Sequence, residues 1–89
     1  MTFTTDAVPV LWRHARLDFD TVRRQHVLLY PEGSVLLNES GGAILDLCDG
    51  RRTVGDIARI LGERADRDVT EDVTEFLTEL AAGELVREA

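Results

Sequence analysis

The chain has one cysteine, two prolines, two histidines and one tryptophan, and its longest unbroken apolar run is four residues. Each shortage excludes something. A lone Cys48 forbids an intrachain disulfide and agrees with a reducing compartment, so the chain is read as cytoplasmic. An apolar run that short cannot cross a bilayer, which takes about 20 apolar residues as a helix, so no membrane segment is expected. The N-terminus has no basic stretch ahead of a long apolar core, because Pro9 and Arg13 interrupt the one candidate, Ala7 to Trp12. His14, His26 and Cys48 stand in no metal-ligand spacing, and Gly41-Gly42 lacks the lysine and the further glycines of a phosphate loop. No nucleophile–base pair is legible either. The expectation is a protein that is not an enzyme, with no cofactor and no metal.

Basic residues are also scarce: ten Lys and Arg against seventeen Asp and Glu leave a net charge of −7. An acidic surface repels phosphate, so nucleic acid is not the expected partner. The doublets Arg23-Arg24 and Arg51-Arg52 read as solvated turn residues. The 89 residues, 44% of them hydrophobic, make one domain, which on folding buries only about 60–65% of its unfolded surface.

Within those bounds the organising stretch is Gln25 to Asn38. Val27-Leu28-Leu29-Tyr30 and Ser34-Val35-Leu36-Leu37 are strand-length apolar runs around Pro31-Glu32-Gly33, which reads as a β-hairpin with a three-residue loop and a left-handed Gly33. Ahead of it, Leu17-Asp18-Phe19-Asp20 alternates with period two, as a strand with one wet face does, and Thr21 to Arg24 is its turn. Residues 1–7 are small and polar and read as a loose tail ahead of a single domain over residues 8–89. Trp12 is taken as a lid on the core.

Three helices are expected after the hairpin. Asn38 caps the first, with Ala43, Ile44, Leu47 and Cys48 on one face; Gly41-Gly42 in its first turn implies close packing against another backbone. Thr53 caps the second, with Asp56 completing a capping box and Gly62 as its stop. The third runs from Thr70 to Ala82 and ends at Gly83, with Val73, Phe76, Leu77 and Leu80 at helical spacing. The fold class is therefore α+β, a winged-helix-like three-stranded antiparallel meander followed by three helices. That layout invites DNA binding, yet the third helix carries Glu71, Asp72, Glu75 and Glu79 and no basic residue, and would meet phosphate with repulsion. A peptide is the better occupant. The last strand of a meander has a free edge, and an extended peptide beside it gains main-chain hydrogen bonds. Leu36 and Leu37 face opposite sides of the sheet, so one serves the core and the other a groove wall; Phe76 and Leu77 divide similarly on the helix.

The run RHARLDFDTVRRQHVLLYPEGSVLLNESGGAILDLCDGRRTVGDIARIL, followed by an acidic helix and GELV, resembles the PqqD family of pyrroloquinoline quinone (PQQ) biosynthesis. The likeness extends from about Val8 to Val86. Its most specific parts are Arg16-Leu17 with Asp20-x-Val22-Arg23, the LLYPEG turn, Leu37-Asn38, and Cys48-Asp49-Gly50 leading into Thr53-Val54. The resemblance implies a RiPP recognition element: a peptide chaperone that binds the ribosomal precursor PqqA and presents it to the radical SAM enzyme PqqE, which crosslinks a glutamate and a tyrosine of the precursor. It further implies that the peptide adds to the third strand and lies against the third helix. On this sequence that means Ser34, Val35, Leu36 and Leu37 with Val73, Phe76, Leu77 and Leu80. A recognition element of another peptide-modifying pathway stays open as an alternative, and a winged-helix DNA-binding regulator stands behind both.

Overall fold

A computed structural model describes residues Phe3–Ala89. In chain order the elements are β1 (Pro9–Leu11), β2 (Arg16–Asp20), β3 (Gln25–Tyr30), β4 (Gly33–Leu36), α1 (Glu39–Asp46), α2 (Val54–Ala65), α3 (Thr70–Ala82) and β5 (Val86–Glu88). Antiparallel strands with three helices make the chain α+β.

The central sheet has the order β2-β3-β4. Its inner face is set by alternation: Leu17, Leu28 and Val35 stand opposite one another across the three strands, and Leu28 is fully buried. The hairpin closes more tightly than the sequence suggests. Tyr30 pairs with Gly33, so only Pro31 and Glu32 form the loop. Neither they nor Gly33 has a positive φ, so proline's preset φ, not a left-handed glycine, makes this turn.

A second sheet pairs β1 with β5, Pro9 opposite Glu88 and Leu11 opposite Val86. This pairing adds two strands to the three-stranded meander expected from the sequence. Residues 3–7, read above as a loose tail, are also anchored. Phe3 and Ala7 are buried, and the carbonyls of Thr5 and Ala7 accept hydrogen bonds from Gly55 and Val54 at the start of α2. Those are amides that a helix's first turn cannot satisfy itself. The part of that expectation falling on Met1 and Thr2 lies outside the described residues.

The helix entrances follow the cap residues. Asn38 Oδ1 accepts from the Gly41 amide at 2.7 Å. At α2, Thr53 Oγ1 accepts from the Asp56 amide while Asp56 Oδ2 accepts from that of Thr53, a reciprocal capping box. Gly62 does not stop this helix, which runs on to Ala65 and ends at a left-handed Asp66. The glycine serves the return of the chain instead: a Cβ there would lie 2.9 Å from the Arg67 carbonyl oxygen. The Gly41-Gly42 pair does mark close packing, but against rings and not backbone. An added Cβ would meet the Phe76 ring at Gly41 and the His26 imidazole at Gly42. Through these two positions α1 touches both β3 and α3.

The buried side chains join into one cluster contributed by sheet and helices together, with Leu28, Leu37, Ile44, Val54, Ile57, Val73 and Leu77 among them. Among the described residues, no helix is long and apolar enough to cross a membrane.

Candidate functional site

β4 is an edge strand, and the register tells which of its amides are free. The Leu37 amide donates to the His26 carbonyl at 2.9 Å, just beyond the last strand pair, Val27 with Leu36. In an antiparallel ladder, bonded pairs alternate with non-bonded ones. Leu28–Val35 and Tyr30–Gly33 are therefore bonded pairs, and Ser34 and Leu36 turn their N–H and C=O groups outward. Among the described residues neither of these amides has a partner.

Side-chain parity divides the eight candidate residues. Leu37 on the inner face is buried, while Leu36 on the outer face is 45% exposed. Ser34 is exposed and Val35 half-buried at the margin of the core. On α3, Val73 and Leu77 are wholly enclosed, whereas Phe76 and Leu80, one turn apart, are half-buried and packed against the same core. The Phe76 ring lies against Gly41, a few residues past the end of β4. Of the eight, Ser34 and Leu36 are thus exposed, and Val35, Phe76 and Leu80 are half-buried. Leu37, Val73 and Leu77 are buried in the core.

Chemistry-bearing groups are otherwise engaged or dispersed. The Cys48 sulfur donates to the Ile44 carbonyl at 3.3 Å. Burial, with a smaller push from the Asp49 charge, raises its thiol pKa to about 12, so at neutral pH it holds its proton and is no nucleophile. Asp49 is held below the usual carboxylate range chiefly by the amides of Arg51 and Arg52. Asp56 is lowered first by the Thr53 amide, and Asp68 by the Thr70 hydroxyl and amide. These are turn and cap positions outside the central sheet, Asp49 forming an isolated bridge to Val10 of β1. Among the described residues no three His, Cys, Asp or Glu side chains converge on a point.

A cavity that no local sequence pattern signals lies at the hairpin-tip end of the strand edge. About 730 Å³ opens between the hairpin tip and the end of α3, lined in part by Trp12, Tyr30, Glu32, Glu84 and Leu85. Trp12 is held there because its backbone amide donates to the Leu85 carbonyl at 2.8 Å. The lone Trp and Tyr were the available signal, but Trp12 and Leu85 meet only through the β1–β5 pairing.

Residues 25–86 match the family model described as coenzyme PQQ synthesis protein D (PqqD). The chain belongs to the PqqD family. That match runs from the start of β3 into β5 and includes every candidate residue. A relative from Pseudomonas paraeruginosa named PqqA binding protein is 50% identical over 74 residues, which is 81% of this chain and 80% of that protein. The bifunctional coenzyme PQQ synthesis protein C/D of Methylorubrum extorquens is 45% identical over 89% of this chain, which spans only 22% of that longer protein. Among solved structures, the chain is similar to the PqqD truncation of Methylobacterium extorquens PqqCD, described as a functional, stand-alone RiPP recognition element. The TM-score is 0.84 and the identity 42%, covering 96% of this chain and 94% of that one. PqqD from Xanthomonas campestris matches with a TM-score of 0.59 and 34% identity over 97% of this chain and 99% of the other.

Proposed function

We propose that this chain is a peptide chaperone that binds the precursor peptide PqqA by strand addition to β4 and presents it to the radical SAM enzyme PqqE. The observation that carries the reading is the pair of outward, unpartnered amides at Ser34 and Leu36. Two main-chain donors with their carbonyls, separated by one residue on a free edge, form the ladder that an extended peptide completes. Phe76 and Leu80 then receive side chains on the inner side of the added strand, and Leu36 flanks them on the outer side. PqqA as the occupant is supported by the relative named PqqA binding protein. The arrangement is winged-helix-like, with the three-stranded meander ahead of the helices. A DNA-reading role is opposed by the acidic α3, which carries Glu71, Asp72, Glu75 and Glu79. The domain works in the cytoplasm by binding alone.

Proline substitutions at two adjacent residues test this. Proline is tolerated at a sheet edge where the lost N–H faced outward, and not where it was part of the ladder. Leu36→Pro leaves the fold intact by circular dichroism and weakens binding of synthetic Pseudomonas PqqA, followed by calorimetry, at least tenfold, or about 1.4 kcal/mol. Val35→Pro removes a ladder bond to Leu28 and unfolds the hairpin. A folded Leu36→Pro that binds the peptide as the wild type does refutes strand addition.

A further inference from the structure

The cavity at the hairpin tip has a composition of its own. Its walls include two half-buried aromatic side chains, Trp12 and Tyr30, and the buried Leu85. The charged residues that line it, all exposed, are Glu32 and Glu84 against a single arginine, Arg87. Neither glutamate has an ion-pair partner among the described residues. Aromatic residues together with glutamates that lack an ion pair suit one kind of side chain: a long apolar stem ending in a cation, whose stem packs on the rings while its head meets the carboxylates. The cavity also continues the edge. Tyr30 is the cross-strand partner of Gly33, the first residue of β4, and Glu32 is the loop residue before it. A strand added along β4 and running past Gly33 arrives between Glu32 and the end of α3.

We propose that this cavity is a receiving pocket for a lysine or arginine side chain of the peptide that adds to β4. The proposal rests on strand addition and assigns it a charged anchor at the hairpin-tip end. Glu84 contributes in an unusual way. It sits just past α3 with φ 63°, a left-handed position that glycine fills at lower cost, and it is among the residues that line the cavity.

Calorimetry with synthetic Pseudomonas PqqA at low and high salt is the test. Glu32→Gln with Glu84→Gln weakens binding about three- to tenfold and flattens its salt dependence, because exposed charge pairs are modest and screened. Arg87→Ala, which removes the competing cation, tightens binding. Glu84→Gly also weakens binding while relieving the left-handed backbone, so the loss of affinity comes without loss of thermal stability; a merely structural Glu84 would leave affinity unchanged. Wild-type affinity and salt dependence in the double glutamine variant, with Leu36→Pro still blocking binding, overturn the pocket and leave strand addition standing. Weaker binding in Arg87→Ala points to an acidic occupant and also overturns it. Undiminished binding in a folded Leu36→Pro removes strand addition and the pocket with it.

Discussion

At one edge of the central sheet, along β2, charged side chains alternate with apolar ones; at the other, along β4, Ser34 and Leu36 face out with no charge between them. The registers make the contrast specific. Leu28 and Tyr30 bond toward β4, so Val27 and Leu29 bond toward β2, and the amides of Leu17 and Phe19 face solvent on that side. There Asp18 Oδ1 accepts from the Phe19 amide at 2.8 Å, and Arg16 lies 3.7 Å from the same carboxylate's other oxygen. An edge whose amide is taken by a neighbouring carboxylate, with charge along the strand, is a poor template for another chain. The β4 edge has neither protection. One sheet thus carries a blunted edge and an open one, and just past the end of the open one Gly41 meets the Phe76 ring of α3.

Both edges hang on β3, so the largest expected effect is there. Leu28→Ala, at a fully buried position, should cost about 2–5 kcal/mol and lower the thermal midpoint and peptide binding together. If the variant melts as the wild type does, the sheet is not held by this core. A smaller effect separates the edges. Asp18→Ala frees the Phe19 amide and should cost about 0.5–1.5 kcal/mol, with increased self-association in sedimentation and undiminished affinity for the peptide. Loss of peptide binding in a folded Asp18→Ala would place the site on the wrong edge.

Much of this could be read from residue order. The α3 limits at Thr70 and Ala82 follow from period and a terminal glycine, and the burial difference between Leu36 and Leu37 follows from strand alternation alone. The identity of the free amides could not be read, because it depends on a register fixed by the Tyr30–Gly33 pairing and by the Leu37–His26 bond outside the strand. The sequence suggested a three-residue loop, and that loop implies a different pairing at the tip. The β1–β5 sheet was invisible for another reason: it pairs the two ends of the chain, Pro9 with Glu88, and nothing local signals such a contact. Asp18 was legible as a strand residue with a wet side chain, but its role as the Phe19 partner needed the direction of that amide.

The smallest predicted effect sets sheet against helices. Asp49, Asp56 and Asp68, all in caps and turns, have pKa values below the ordinary 3.8 in the folded chain. A carboxylate whose folded value is lowered adds stability that is fully present above its unfolded value and is lost as pH falls through the folded one. Stability should hold from neutral pH to about 5 and decline below about 4. Asp56→Asn should flatten part of that decline in thermal melts. A decline as steep as that of the wild type would show that the capping box contributes nothing to it.

The most direct test of the open edge is amide hydrogen exchange, read residue by residue by NMR with and without saturating PqqA. In the free protein, Ser34 and Leu36 should exchange fast while Val35 and Leu37 are protected. In the complex, Ser34 and Leu36 should become protected, with Val35 and Leu37 little changed. Fast exchange at Ser34 and Leu36 in the saturated complex would contradict strand addition at β4.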